Sequence, residues 1–449
     1  MRTFAAILFG VVLTLMMVPA YPEEGAVVPS EKKDVFDWGG DIRLRGVNFD
    51  DIPINAPLPG VARGGKNVFF RGRTRVWGEL LFSDSVRFQA RLVNEFRSYE
   101  EGSGTNTYDF PDEFVFDHLY FDFNDIWDGK LDIRIGRQDL MYGNGRVILD
   151  GNPLDGSRTI YFNALKASLN LDKTTVDILG IYNEAEDELA INSQERDLVG
   201  LLGKYPTDMV ESGGGLYVKN KSVEKMPMEF YYLYKNESDY QWTDSAGAVQ
   251  MQPDDLDLHT LGFRLMPQFT EGLSGNLEVA GQMGERGAQD VDGWMVDAKL
   301  SYKIPVTEKT NPSASLGLYY LSGDDPKTAD DEGWNPLWAR WPQYSELYVY
   351  GFDADGAGRW SNITMPYVGL DVPFSPKVSL DLLGGWMMAP EENGPGGGDE
   401  RGKLFTAWFK FKLSDAWSGH LLGEFVDPGD YYQVDTTAHF VRLEFMVKF

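Results

Sequence analysis

Arginine residues recur two or four positions apart in three neighbouring segments near the start of the chain. They are Arg43, Arg45, Arg71, Arg73, Arg75, Arg87 and Arg91. A guanidinium group is planar and binds carboxylate or phosphate through two parallel N–H donors. Alternate side chains of an extended segment lie on one face, so this spacing predicts an arginine-rich surface that binds an anion. The alternative is that Asp41, Glu79 and Glu95 neutralise the arginines and that the pairs only hold the surface together.

The segments that carry these arginines alternate between apolar and polar residues, as β-strands with one buried face do. The last nine residues show the pattern most clearly. Val441, Leu443, Phe445, Val447 and Phe449 alternate with Arg442, Glu444, Met446 and Lys448. We count about eighteen such segments along the chain. The alternation alone does not distinguish a membrane barrel from a soluble β-sandwich, because both have amphipathic strands.

The links between the segments separate these two folds. Short turn-like links such as Ser83–Asp84, Asp172–Lys173 and Ser414–Asp415 alternate with long polar links such as 184–211 and 323–361. A transmembrane barrel has short periplasmic turns at one end and long extracellular loops at the other. A soluble sandwich has no reason to keep its long loops together. The sequence therefore predicts an all-β fold, an antiparallel transmembrane β-barrel of about 18 strands.

Residues 1–20 have the pattern of a secretory signal peptide, with Arg2 before an apolar run and small residues before Tyr21. We expect residues 21–449 to form a single barrel domain. Only about twenty residues separate the expected cleavage site from the first strand, which is too short for a plug domain. The predicted location is the bacterial outer membrane, where lipid and lipopolysaccharide surround the barrel.

The composition excludes several classes of protein. A formal net charge of −28 argues against nucleic acid as a partner. The chain has no cysteine, which excludes disulfides, thiol chemistry and cysteine-ligated zinc. Its histidines, His118, His259, His420 and His439, lack the spacing of metal ligands. No nucleophile elbow, phosphate loop or metalloprotease motif occurs, so we predict no enzyme and no catalytic residue.

Two regions of the sequence resemble the alginate-export family of outer-membrane barrels. The first has LDIRIGRQDLMYGNGR at residues 131–146, GSR at 156–158 and a strand at 162–171. The second has YLSGDDP at 320–326 and WNPLWARWPQYSE at 334–346. The strand layout extends the similarity over most of the chain.

The resemblance implies an eighteen-stranded monomeric barrel whose arginine-rich lumen passes an anionic polysaccharide outward, with periplasmic export components as partners. The arginines at matching positions are Arg134, Arg137, Arg146, Arg158 and Arg340. Arg134 fits the lumen phase of its strand. Arg137 breaks the alternation, so either a bulge at Gly136 turns it inward or it lies near the rim. The acidic residues must also lie outside the constriction if a polyanion is to pass.

The longest external loop carries two further groups of candidate residues. The acidic group is Asp324, Asp325, Asp330 and Asp331, and the aromatic group is Trp334, Trp338, Trp341 and Tyr344. The acidic group is either solvated loop charge or a site for a divalent cation, such as a structural Ca²⁺ that bridges to lipopolysaccharide. The aromatic group either stacks on sugar rings or packs the loop into the lumen as a gate.

Together these features predict a passive channel for an anionic polysaccharide or oligosaccharide similar to alginate, moving outward. Two alternatives remain open. One is an uptake porin for anionic small molecules, which would use the same barrel in the opposite direction. The other is a surface adhesion barrel that does not conduct.

Overall fold

The computed structural model describes residues 35–51, 66–101, 114–149, 161–184, 189–191, 210–238, 241–243, 249–251, 255–306, 310–339, 343–348, 361–433 and 435–449. The chain divides by its contacts into Met1–Val35 and Phe36–Phe449, and the second unit contains all the strands given below. The predicted signal peptide at 1–20 lies outside the described residues.

Eighteen long strands form one antiparallel sheet, each paired with its neighbours in chain order. They are β1 (Phe36–Asp50), β2 (Asn67–Ser83), β3 (Val86–Glu101), β4 (Phe114–Asp125), β5 (Leu131–Gln138), β6 (Phe162–Leu171), β7 (Thr174–Asn183), β8 (Val210–Asn220), β9 (Met228–Ser238), β10 (Leu256–Leu265), β11 (Leu273–Arg286), β12 (Trp294–Lys303), β13 (Ser313–Leu321), β14 (Ile363–Ser375), β15 (Val378–Met388), β16 (Glu400–Lys412), β17 (Trp417–Asp427) and β18 (Ala438–Lys448).

The sheet closes on itself because β1 pairs with β18 as well as with β2. In this seam Arg45 lies opposite Glu444 and Leu44 lies opposite Phe445. Leu443 is 43% exposed on the outer face, whereas Arg442 is 0% exposed on the inner face. The terminal alternation therefore has its predicted basis: one face of β18 meets lipid and the other lines the barrel. The predicted eighteen-stranded barrel is confirmed.

The links alternate in length as the sequence predicts. Turns such as Asp172–Lys173 join strands at the periplasmic end, and links such as 322–362 join them at the other end. Short pairings occur beside the long strands, at Ala190–Ile191, Gln289–Val291 and between Gln241–Thr243 and Val249–Met251. The four-residue segment Ile126–Gly129 is assigned as a helix, but Trp127 and Asp128 have left-handed backbone angles, so it forms a turn between β4 and β5. None of the described helices is long and apolar enough to cross a membrane.

The apolar core lies inside the external half of the barrel. Two external loops supply much of it, through Leu140, Ile148 and Leu149 from the link after β5 and Leu337 and Trp338 from the link after β13. Each of these side chains is at most 4% exposed. The loops pack because inward apolar side chains at the external strand ends, such as those of β1 and β10, would otherwise face water. These two loops fold into the barrel and therefore narrow the lumen. We call them the internal loops.

Candidate channel lumen

All seven arginines singled out from the sequence of the first three strands lie on the inner face of the barrel. Arg43 and Arg45 of β1 pair with Glu444 of β18, and Arg73 and Arg75 of β2 share Asp41, at 2.8 and 2.7 Å. The predicted surface therefore exists as one wall across β1–β5 and β18. We call this surface the arginine wall. Its other pairs are Arg71–Glu95, Arg87–Asp122, Arg87–Glu79, Arg91–Asp117, Arg91–Asp139, Arg97–Glu95 and Arg134–Asp122.

The arginines are extensively paired with carboxylates, as expected if the pairs hold the surface together. Acids other than Asp41, Glu79 and Glu95 also take part. Arg91 binds Asp117 through two N–H donors, at 2.8 and 2.9 Å. Arg134 binds Asp122 in the same forked way, at 2.6 and 2.9 Å. A guanidinium has five N–H donors, so a forked pair leaves donors for another anion. The ion pairs of the arginine wall contain nine guanidinium groups and seven carboxylates, so these groups together have an excess of positive charge.

Exposure separates the arginines that a solute can reach from those that only support the wall. Side-chain exposure is 33% for Arg87 and 32% for Arg134, which share Asp122. Arg71 is fully buried in its pair with Glu95, and Arg43 is 3% exposed. The Tyr120 ring lies 4.0 Å from the Arg134 guanidinium and holds it in place. Arg87 and Arg134 are therefore the accessible cations of the wall.

Arg137 lies at the external end of β5 and is not on the phase of Arg134. The β4–β5 register continues through it without a shift, with Arg137 opposite Leu119, so no bulge turns it inward. Its guanidinium donates to Asn163 Oδ1 at 2.9 Å and to the Phe116 carbonyl at 3.0 Å. It also stacks on the Tyr161 ring at 4.0 Å. These contacts favour the rim over the lumen for this residue.

Arg146 lies at the centre of the barrel, where the two internal loops meet the wall. It donates to Asp297 of β12 at 2.8 Å and to Gln343 Oε1 at 2.7 Å, and its guanidinium lies 4.7 Å from the Tyr344 and Tyr319 rings. The loop after β5 is thus joined to the loop after β13 through one buried cation. Arg158 and Arg340 lie outside the described residues.

Three further contacts fix the loop after β13 against the barrel wall. Lys235 of β9 donates to the Leu337 carbonyl at 2.9 Å, and Gln282 of β11 exchanges two hydrogen bonds with Asn335. The third contact is the carboxylate of Glu424 in β17, which accepts from the Ser345 hydroxyl at 3.0 Å and from backbone N–H groups of Glu346 and Leu347 at 3.0 and 3.3 Å.

We call the Glu424 contact the loop latch. A carboxylate that accepts backbone N–H donors at the start of a helical turn satisfies groups that would otherwise be orphaned. Next to it, Glu346 forms an ion pair with Arg442 of β18 at 2.9 Å. The latch and this ion pair thus join the long loop to β17 and β18, the last two strands of the barrel.

The aromatic residues of this loop have packing roles in the structure. Trp334 and Trp338 are each 2% exposed, and Trp338 forms a parallel bridge with Ile148 of the other internal loop. Tyr344 lies 5.1 Å from Tyr319 and 5.3 Å from Tyr367. Trp341 lies outside the described residues. The geometry favours the packed constriction over sugar stacking for Trp334 and Trp338.

The acidic loop residues bind backbone amides of their own loop. Asp324 accepts from the Glu332 N–H at 3.3 Å, Asp325 from the Lys327 N–H at 3.0 Å, and Asp331 from the Gly333 N–H at 3.2 Å. Burial and the neighbouring acids raise the pKa of Asp324 above its usual value. Among the described residues, no group of three or more acidic or histidine side chains is placed to hold a metal. Calcium binding by Asp324, Asp325, Asp330 and Asp331 stays a prediction.

Below the internal loops the lumen contains a cavity of about 530 Å³. Arg146, Arg264 and Lys299 line it, together with carboxylates of β12, β14, β15 and β17 and of the loop after β13. Those carboxylates are Asp297, Glu346, Asp371, Asp381 and Glu424. The expectation that acidic residues avoid the constriction is therefore met only in part. Most of these charges are compensated. Asp297 pairs with Arg146, Asp381 pairs with Lys410, and Glu424 accepts hydrogen bonds from backbone N–H groups of the loop latch.

The sequence reasoning missed several lumen residues. Asp297 lies 151 positions from Arg146, and Glu424 lies 77 positions from Leu347. The alternation of β12 and β17 predicts that both side chains point into the barrel. The sequence around each residue does not predict which loop residue it binds. Arg97, which continues the inner face of β3, could have been found from the same period of two.

A closed barrel with an apolar outer face, long loops at one end and a polar lumen is the architecture of a bacterial outer-membrane channel protein. Residues 208–388 match the model of the alginate export family, so the family resemblance is confirmed over that span. No curated protein sequence matches the chain.

Solved structures show the same fold. A BenF-like porin from Pseudomonas fluorescens Pf-5 superposes with a TM-score of 0.57 at 12% identity, covering 92% of this chain and 98% of that one. OccK3 (OpdO) from Pseudomonas aeruginosa gives 0.54 at 9% identity, with coverages of 92% and 96%. OccK2 (OpdF) from Pseudomonas aeruginosa, solved in complex with glucuronate, gives 0.55 at 11% identity, with coverages of 92% and 98%.

Proposed function

We propose that this channel passes saccharides that carry carboxylates and that it exports an alginate-like polymer. The observation that carries the proposal is the arginine wall, which has more guanidinium groups than carboxylates and exposes Arg87 and Arg134 to the lumen. Guanidinium groups bind carboxylates through a fork, and a series of weak sites lets an anion enter and leave. The family match supports the same cargo class, since alginate is a polymer of uronic acids.

Uptake of small uronates is the second candidate function. Two observations favour it: the internal loops narrow the lumen, and the cavity of about 530 Å³ has the size of a small-ligand site. OccK2, which shares the fold, binds glucuronate, and a uronate has the same carboxylate and ring as one unit of an acidic polysaccharide. Both candidates therefore need the same cation set, and they differ in direction and in whether the loop latch opens.

Ion selectivity tests the proposal. In planar bilayers with a KCl gradient, the reversal potential reports the ratio of chloride to potassium permeability. We expect the wild type to prefer anions and the R87Q/D122N/R134Q variant, which removes one net positive charge from the lumen, to lose much of that preference. Asp122 is changed as well, because a buried carboxylate without its arginines would destabilise the wall.

The matched control is K403Q, which removes one positive charge from the outward-facing phase of β16. It should leave the reversal potential unchanged. A wild-type pore that prefers cations, or a triple variant with unchanged selectivity, would refute the role of the arginine wall. A barrel that never conducts, even with the loop latch removed, would favour the adhesion alternative.

A further inference from the structure

Trp408 of β16 lines two cavities of the lumen. The cavity of about 530 Å³ lies on its external side. A second cavity, of about 320 Å³, is bounded by the periplasmic turn at Pro376 and by Lys377 and Lys412. A solute that moves between the periplasmic mouth and the central cavity along this wall passes Trp408. Both volumes are in the range of small-ligand sites.

Cationic and imidazole side chains surround the indole ring. The Lys410 ammonium lies 4.8 Å from the ring, the Arg442 guanidinium 5.6 Å and the His420 ring 5.1 Å. Lys410 is the accessible one, with a side chain that is 47% exposed while it pairs with Asp381. An ammonium has three donors, so this pair leaves Lys410 able to bind a second carboxylate.

The remaining groups around Trp408 match a sugar better than a simple inorganic anion. Hydroxyl groups of Ser379, Ser418 and Thr406 line the two cavities, and Asp381 lies opposite Trp408 in the β15–β16 register. Carboxylates and hydroxyls accept hydrogen bonds from sugar hydroxyls, whereas an indole face packs against the apolar C–H face of a pyranose ring. A chloride ion would use only the cations.

We infer that Trp408, with Lys410 beside it, forms a binding subsite for a single uronic-acid ring on the periplasmic side of the loop latch. The ring would stack on the indole, its carboxylate would contact Lys410, and its hydroxyls would face Asp381 and the neighbouring serines. This inference rests on the proposed function and adds to it a specific residue that is not an arginine. The subsite selects acidic sugars over neutral ones through Lys410, and sugars over inorganic anions through Trp408.

Current block by defined saccharides tests the subsite. An oligouronate and a neutral oligosaccharide of the same length are added in turn to both sides of a single channel in a planar bilayer. We expect the oligouronate to block the wild type, with a residence time about tenfold shorter in W408A, because an aromatic stacking contact is worth about a factor of ten. W408F keeps an aromatic face and should stay within about twofold of the wild type.

Two further variants separate the contributions of charge and fold. K410Q should weaken block by the oligouronate and leave block by the neutral sugar unchanged. W386A removes a tryptophan that is 50% exposed on the outer face of β15, and it should behave as the wild type. Equal residence times in W408A and the wild type would overturn the subsite while leaving the proposed function intact. A wild-type channel that oligouronates do not block would overturn both.

Discussion

The loop latch predicts that a single isosteric change, E424Q, frees the internal segment of the long loop. Glu424 accepts hydrogen bonds from the Ser345 hydroxyl and from the backbone N–H groups of Glu346 and Leu347, at 3.0 to 3.3 Å. A glutamine keeps the shape, but it loses the charge and turns one acceptor oxygen into a donor. The Ser345 hydroxyl can rotate to bind the new amide, so the loss falls on the two backbone N–H donors. Hydrogen bonds to charged groups contribute about 1 kcal/mol more than neutral ones, so the latch should lose about 2 kcal/mol.

This loss corresponds to an increase of about 30-fold in the population of the unlatched loop. The chain has no cysteine, so a single introduced thiol can report the opening. Leu347 is 0% exposed, and L347C should react with a small charged thiol reagent only when the loop leaves the wall. We expect the modification rate of L347C to rise about 30-fold in the E424Q background.

The control thiol is V223C, in a periplasmic turn where Val223 is 45% exposed. Its modification rate should be the same with and without E424Q, which shows that the barrel itself is unchanged. If E424Q left the L347C rate within about twofold of its original value, the carboxylate would not hold the loop and the latch would be refuted.

Three further predictions concern strand β5, the acidic part of the loop after β13, and the rim of the barrel. Gly136 has φ +125°, and a Cβ there would lie 2.2 Å from the Leu119 carbonyl oxygen, so G136A should lower the unfolding temperature of the barrel in detergent by several degrees. G180A, with nothing within 4 Å of its Cβ, should not. The raised pKa of Asp324 means that the folded loop binds a proton more tightly than the unfolded loop, so loop stability falls as pH rises through that pKa. Hydrogen exchange of residues 325–333, corrected for its intrinsic pH dependence, should therefore slow from about pH 7 to about pH 4, and D324N should remove the effect. R137Q removes one positive charge but should leave ion selectivity unchanged, because Arg137 binds Asn163 and the Phe116 carbonyl at the rim, and a shift as large as that in R87Q/D122N/R134Q would place it in the lumen instead.

Much of the barrel follows from the sequence because its rules are local. A period of two assigns each strand residue to lipid or lumen, and link length assigns each end to one side of the membrane. The same rules correctly place Arg43 and Arg45 beside Glu444 where the first and last strands meet. Those pairings require only the strand order and the phase of each strand.

The constriction does not follow from such rules. The path of the loops after β5 and β13 is set by contacts with distant strands, such as Arg146 with Asp297 and Ser345 with Glu424. Trp408 illustrates the same limit. The alternation of β16 places it inside the barrel, but only the folded structure puts it between two cavities and near Arg442.

Transport of acidic saccharides is the central claim, and a flux measurement tests it most directly. Proteoliposomes loaded with a mixture of an oligouronate and a neutral oligosaccharide of equal length would be followed for release of each. The arginine wall and the Trp408 subsite predict that the oligouronate leaves faster, and that R87Q/D122N/R134Q reduces this difference. Equal release of both sugars, or release no faster than from protein-free liposomes, would contradict the account.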